Sequence, residues 1–300
     1  MSVFTDKWID EHKDELVEKL QQCVRINSVR DDDSTREGAP FGEGAAKCLE
    51  DTLNTAKEMG FEVKNLDGYC GTVDYGTGEE QLGILAHLDV VPEGEGWTYP
   101  PYAAEIHDGR LYGRGTMDDK GPAFAALFGL AAVKASGVET KRRVRLILGC
   151  DEECGMDCLH HYNEVEKAPD MCFSPDASYP LVNSEKMIYN SAYRKEYASS
   201  VRVKAGTVSN AVPGKAEVFV PVSADEVKAA VAKLNNADFT YNVSAADNGA
   251  NVVITGIAAH ASTPEQGRNA FLAALQLMNE LNLPEEDADT VAVLWDILKF

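Results

Sequence analysis

QLGILAHLD, residues 81–89, carries an apolar run straight into a histidine and an aspartate, and the reading of that run decides the fold. As a strand over 81–86 it delivers His87-Leu88-Asp89 at its end. Three further stretches repeat the pattern. GRGTMDDKGP (113–122) presents Asp118-Asp119, RVRLILGCDEE (143–153) ends in Asp151-Glu152-Glu153, and FSPDAS (173–178) presents Asp176. Charge near a core is costly unless it is paired or bound to metal. Carboxylates recurring where apolar runs end therefore imply one oxygen-rich site with a single imidazole, a donor set that suits a hydrolase using two divalent ions.

Around these stretches, strands and helices alternate. Helices are expected over 6–27, 43–59 and 118–136 and from about 156. Strands are expected at 61–65, 71–75, 81–86, 104–107, 110–112, 144–149 and 171–174. The helix at 118–136 is rich in alanine and suits close packing on a sheet. Such alternation predicts an α/β sandwich with its chemistry on loops at the strand ends. The character changes near Leu181. Strands at 188–203, 216–220, 239–243 and 251–257, with helices at 224–234 and 269–281, predict a second, α+β domain. The expected division is 1–182 and 183–300.

The 300 residues carry a net charge of −21 and are 44% hydrophobic. That balance argues against nucleic acid and anionic membranes as partners, since both need basic surface. The amphipathic N-terminus lacks the apolar core of a signal peptide, and no stretch approaches the roughly 20 apolar residues of a membrane span. Seven cysteines without a secreted-domain pattern fit a cytoplasmic protein. Cys150, Cys154 and Cys158 are flanked by carboxylates rather than further ligands and are read as spectator thiols.

Each acidic stretch also has a plainer reading. His87 and Asp89 lie two apart, on one face of an extended chain. Asp89 then holds the second ring nitrogen of a metal-bound His87, or the two make a structural hydrogen bond. Asp118-Asp119 opens a helix, where aspartate also serves as an N-cap, although capping needs only one. A carboxylate there could instead bridge ions about 3.5–4 Å apart. Glu152 and Glu153 point different ways, so one can bind metal while the other reaches water as a general base; a solvated acidic turn is the other reading. Asp176 alone reads as a turn residue.

Taken together, LAHLDVVPEGEGW, GRGTMDDKGP, DEECGMD, SPDASYP and GIAAHASTPEQGRNA, in that order, resemble the di-zinc metallopeptidase family that includes glutamate carboxypeptidase, aminoacylase, succinyl-diaminopimelate desuccinylase and the PepV-type dipeptidases. The wording is most similar to the PepV type, and the likeness runs from the first helix to about Ala270. The resemblance implies a mixed-sheet α/β/α catalytic domain with an inserted α+β lid. It implies hydrolysis of dipeptides, Xaa-His or broader, by water activated between two zinc ions, with manganese or cobalt as alternatives. Deacylation of N-acyl amino acids is the near alternative within the family. By position, His87 and Asp176 would hold one metal, Glu153 the other, and Asp118 would bridge both across a cis peptide bond to Asp119. Asp89 would orient His87, and Glu152 would be the general base. His260 and Asn210 would meet the substrate from the lid, His260 assisting at its carbonyl. A complete PepV-type enzyme would be a monomer.

One element of the family pattern is missing. The family's last metal ligand is a histidine near the C-terminus of a catalytic domain that resumes after the lid. Here no histidine follows His260, and His12, His107, His160 and His161 lack the matching surroundings. The expectation is an N-terminal portion of a longer enzyme, with both domains incomplete at the C-terminus. It would bind the first metal better than the second and be weakly active, inactive or binding-only.

Overall fold

The computed structural model describes residues 3–94, 96–177, 182, 184, 192 and 194–299. The chain divides into two compact units, Met1–Asn183 and Ser184–Phe300. Asn183 at the expected boundary, residues 178–180 of SPDASYP, and positions 188–191 and 193 of the expected strand over 188–203 lie outside the described residues.

The first unit begins with α1 (Val3–Val24) and α2 (Glu43–Glu58), then β1 (Glu62–Leu66), β2 (Cys70–Tyr75) and β3 (Gln81–His87). A small hairpin of β4 (Glu105–His107) and β5 (Arg110–Tyr112) precedes α3 (Lys120–Ala135). The unit continues with β6 (Arg143–Gly149), α4 (Asp157–Val165) and β7 (Met171–Phe173). The five-stranded sheet has the order β1-β2-β6-β3-β7. The β1–β2 and β2–β6 pairs are antiparallel, while β6, β3 and β7 run parallel, with His87 opposite Gly149 and Ile84 opposite Phe173.

Helices cover both faces. A side chain at Gly71 would meet Leu49 and Leu53 of α2, whereas one at Gly149 would meet Cys158 of α4. Cys70, next to Gly71, is the register partner of Gly149. Successive strand residues face opposite sides, so α2 and α4 lie on opposite faces and the unit is an α/β/α sandwich. Its core joins Leu49 and Leu53 of α2, Phe124, Leu127 and Phe128 of α3, and Leu146, Ile147 and Leu148 of β6. The alanines of α3 let it sit close, since Ala123 and Ala131 are buried with those larger neighbours.

The parallel run decides where the chemistry goes. Because β3, β6 and β7 share a direction, their C-terminal ends open on one edge. His87 closes β3, the 150–153 turn follows β6, and Asp176 follows β7 by three residues. Carboxyl ends of parallel strands are the usual place for a site in such sheets.

The second unit contains β8 (Arg202–Ala205), β9 (Ala211–Val212), β10 (Lys215–Val220), α5 (Ala224–Leu234), β11 (Thr240–Ala246), β12 (Gly249–Thr255), β13 (Ala259–His260), α6 (Ala270–Met278) and α7 (Glu285–Leu298). An antiparallel sheet of order β11-β12-β10-β8 is buried on one face. Ala216, Val218 and Val220 of β10 alternate inward with Ala250, Val252 and Ile254 of β12, against Val227, Leu275 and Leu277 of the helices. That alternation is what one covered face requires. Asn269 accepts from Phe271 N and Leu272 N and so caps α6. The helix expected over 269–281 stops at Met278, and α7 is an element the sequence reading did not contain.

Asp287, at the start of α7, is 3% exposed. It accepts from Ser199 Oγ at 2.5 Å, Ser200 Oγ at 2.6 Å and Ser200 N at 3.1 Å. Burial works against the carboxylate, but these donors outweigh it and hold the pKa below the ordinary value. A folded-state pKa that is depressed adds stability above the unfolded pKa and loses it as pH falls. Asp287→Asn is therefore expected to lower the urea midpoint at pH 7 and to flatten the loss of stability below about pH 4. Parallel acid limbs in the two proteins would contradict this role.

Candidate metal centre

Four segments converge on the sheet edge. His87 is 2% exposed. Its Nδ1 lies 2.9 Å from the carbonyl oxygen of Asp89. A carbonyl only accepts, so Nδ1 carries a proton and Nε2 is the ring atom that faces the acidic groups. Around Nε2 stand Asp118 Oδ1 at 3.1 Å, Asp176 Oδ2 at 3.4 Å and Glu152 Oε2 at 3.9 Å. Two sets of donor atoms lie within 4.8 Å of one another: His87, Glu152 and Asp176, and His87, Asp118 and Glu153.

Asp89 meets His87 Nδ1 with its backbone carbonyl and, farther off, with its carboxylate. Its carboxylate is 3.4 Å from His87 Nδ1, behind the carbonyl contact. The two carboxylate oxygens also accept from the backbone N–H groups of Glu152, at 3.1 Å, and Glu153, at 3.0 Å. Asp89 thus ties the end of β3 to the turn after β6 and fixes the acidic pair along with the imidazole.

The aspartate pair does not cap α3. The Asp118-Asp119 peptide is cis, as the resemblance implies. Asp119 precedes α3 but makes no side-chain capping bond. Its Oδ2 accepts from His87 N at 3.0 Å, and its buried Oδ1 has no hydrogen-bond partner among the described residues. Asp118, by contrast, is exposed beside His87.

Electrostatically the cluster lacks positive charge. Burial, then the Asp118 carboxylate, pushes Glu153 up to about 7. Burial also pushes Asp119 up to about 7. Glu152 is raised, by burial first and then by Asp176, Asp89 and Asp118, with His87 opposing. Burial disfavours a charged His87, yet hydrogen bonds with Asp118, Asp176 and Asp89 overcome it and raise its pKa far above the ordinary value. In effect the imidazole substitutes for a cation that the carboxylates demand. One imidazole nitrogen among several carboxylate oxygens, with Asp119 Oδ1 unsatisfied behind them, fits divalent metal, which would take the place of the Nε2 proton.

Three residues behind the site carried no signal in the sequence reading. Ser28 Oγ donates to the Leu88 carbonyl at 2.6 Å. Lys120 is fully buried and donates to the carbonyls of Cys23 at 3.1 Å and Ile26 at 2.8 Å. Arg30 Nη1 donates at 3.0 Å to Asp151, whose fully buried carboxylate also accepts from Asp157 N at the start of α4. Arg30 thereby braces the turn that presents Glu152 and Glu153. Arg30→Ala is expected to lower divalent-cation affinity by roughly tenfold, the lower end of what loss of a ligand's supporting partner costs. Titration calorimetry checks it, and unchanged affinity would separate Arg30 from the site.

The remaining candidates lie elsewhere. Among the described residues, His87 is the only histidine in either donor set. His12 bonds to Trp8 O, His107 pairs with Glu105, and His161 pairs with Asp67. Cys150, Cys154 and Cys158 are free thiols outside both sets. In the second unit, β9 and β13 form a ribbon that places His260 opposite Ala211, while Ala261 N donates to Asn210 O at 2.8 Å. His260 and Asn210 are therefore neighbours within that unit. Ser262 N donates to His260 Nδ1 at 3.2 Å and Ser262 Oγ lies 2.7 Å from it, so the neutral ring carries its proton on Nε2.

Residues 83–266 match the model of peptidase family M20/M25/M40, and residues 248–293 match a peptidase dimerisation domain. The YtjP protein of Bacillus subtilis (strain 168) is 35% identical over 294 residues, covering 95% of this chain and 64% of its own length. The Beta-Ala-Xaa dipeptidase of Lactobacillus delbrueckii subsp. lactis is 36% identical over 276 residues, covering 87% of this chain and 58% of its own length. Among solved structures, human carnosine dipeptidase 1 is 26% identical with a TM-score of 0.45, over 54% of this chain and 38% of that one. The chain spans about three-fifths of the length of these two curated relatives.

Proposed function

The chain belongs to peptidase family M20/M25/M40, and on that premise we propose that the cluster on its first unit is the metal centre of an enzyme that hydrolyses dipeptides. The observation that carries this reading is the convergence of His87, Asp118, Glu152, Glu153 and Asp176 on one edge, with a deficit of positive charge. His87, Asp118, Glu153 and Asp176 would hold the metal, with Asp118 shared between two ions. Zinc is our reading, with manganese or cobalt as alternatives. When bound, such a pair supplies a water of lowered pKa and a Lewis acid for the scissile carbonyl.

The chain's own residues do the rest. The Asp89 carbonyl keeps His87 in the tautomer whose Nε2 can coordinate. The Asp89 carboxylate holds the backbone of Glu152, so its side chain stays at the cluster. Glu152, with its raised proton affinity, takes a proton from water and returns it to the departing amine nitrogen. In the second unit, His260 offers Nε2–H, a donor suited to a carbonyl oxygen gaining negative charge. Asn210, on the adjoining strand, is the second substrate-side candidate.

Dipeptides are favoured over N-acyl amino acids by the likeness to the Beta-Ala-Xaa dipeptidase of Lactobacillus delbrueckii subsp. lactis. Assay of both substrate classes with zinc, manganese and cobalt tests this. Dipeptide turnover is the expected result; turnover of N-acyl amino acids alone would favour the deacylase, and metal binding without either would favour a binding role. The dimerisation-domain match weighs against the monomer expected from the resemblance, and light scattering decides between the two. No helix among the described residues is long and apolar enough to cross a membrane. Cytoplasmic location is our reading, from seven cysteines without a secreted-domain pattern.

A further inference from the structure

Two cysteines that the metal chemistry does not use lie side by side behind it. Cys23, in the last turn of α1, and Cys48, in α2, are 4% and 0% exposed, with their sulfurs 3.4 Å apart. The pair is buried, yet Cys23 lines a cleft of about 200 Å³ together with Lys19, Gln22, Asp51, Thr52 and Phe124. The cleft therefore brings a small oxidant up to the pair, whose two sulfurs are already in contact.

The pair also touches both arms of the site. Cys48 Sγ points to the Leu88 carbonyl at 3.9 Å, the same carbonyl that Ser28 holds between His87 and Asp89. The Cys23 carbonyl is one of the two acceptors of Lys120, which follows Asp118-Asp119.

We propose that Cys23 and Cys48 are an oxidation site that closes to a reversible disulfide between α1 and α2 when the chain meets a peroxide. One of the two sulfurs attacks the peroxide, the O–O bond breaks, and that cysteine becomes a sulfenic acid as one water leaves. The other sulfur then attacks the oxidised one, the S–S bond forms, and the hydroxyl departs as a second water carrying the remaining thiol proton. Two electrons pass from the thiols to the peroxide. The hydrogen bond between the sulfurs lowers the Cys48 thiol toward thiolate and raises that of Cys23, so the pair holds one activated sulfur. Bonding requires the sulfurs to close from 3.4 Å to about 2.05 Å. That movement changes the contact of Cys48 with the Leu88 carbonyl and shifts the backbone between His87 and Asp89. The coupling to cation affinity rests on the metal reading; the disulfide itself does not.

The test treats the Cys154→Ser/Cys172→Ser chain with hydrogen peroxide, since those two thiols are the exposed ones. The expected result is a peptide linked through Cys23 and Cys48, two thiols fewer on titration in denaturant, and full reversal by dithiothreitol. The link should vanish in Cys48→Ala. Cys23 and Cys48 both remaining reduced, or either one stopping at the sulfinic acid, would overturn the proposal. Calorimetry with manganese on the oxidised and reduced forms reads the coupling separately. A fall in affinity of roughly tenfold on oxidation is expected, and equal affinities with the disulfide in place would overturn the coupling alone.

Discussion

Replacing Glu152 by glutamine is expected to lower turnover by about 10²–10⁴-fold while leaving divalent-cation binding nearly intact. The asymmetry follows from where Glu152 sits. Its side chain is 3.9 Å from His87 Nε2, beyond Asp118 at 3.1 Å and Asp176 at 3.4 Å. Its neighbour Glu153 completes a set with His87 and Asp118 that does not include it. Burial and nearby carboxylates raise its proton affinity, which is what a group that takes and returns a proton requires. Glutamine keeps the shape and the backbone bond to Asp89 but cannot accept the proton. The competing arrangement has Glu152 as a ligand with His87 and Asp176, since those donor atoms also lie within 4.8 Å. In that case Glu152→Gln would lose cation affinity and turnover together. Calorimetry beside a dipeptide assay distinguishes the two, and near-normal turnover would exclude the base role.

The largest effect on stability is expected at Arg145. Its side chain is 1% exposed on β6, with Nε and Nη2 both 2.8 Å from the two oxygens of Asp74. Nη1 reaches Glu166 at 2.8 Å and Tyr162 Oη at 3.2 Å. Asp74 is the register partner of Arg145 on β2, so the fork lies across the antiparallel pair. Arg145→Ala would strand a carboxylate that is 5% exposed. Breaking such a pair costs about 3–5 kcal/mol, visible as a lower urea midpoint of the first unit. Arg145→Met/Asp74→Leu should recover much of that loss, because the penalty comes from the unpaired charge. A loss below about 1 kcal/mol in the single variant would show that water reaches Asp74.

Much of this architecture was readable because its signals are local. Apolar runs at 81–86 and 144–149 announced β3 and β6, and the alanine-rich stretch after Lys120 announced α3. The donor residues were readable because strand ends place them next to those runs, and because the strings together match one family. What stayed hidden depends on pairing between distant segments. Nothing near Arg30 marks it as the partner of Asp151, 121 residues on. The insertion of β6 between β2 and β3 follows from sheet topology, and only that order brings the ends of β3, β6 and β7 to one edge. Asp89 was readable as the partner of His87, but not the atom that makes the nearer contact. Spacing placed its carboxylate on His87, but the carbonyl is nearer and the carboxylate turns to Glu152 and Glu153. The ribbon of β9 and β13 is too short to carry a periodic signal, each strand having two residues. It is nevertheless what brings His260 and Asn210 together.

The central claim is that the acidic edge of the first unit is a divalent-metal centre. The most direct measurement is calorimetric titration of chelator-treated protein with zinc and manganese, for the parent chain and for His87→Ala and Asp118→Asn. The account predicts saturable binding that weakens by more than tenfold in each variant. Binding of equal strength in all three proteins would contradict it, since the cation would then be held by other carboxylates of a chain with net charge −21.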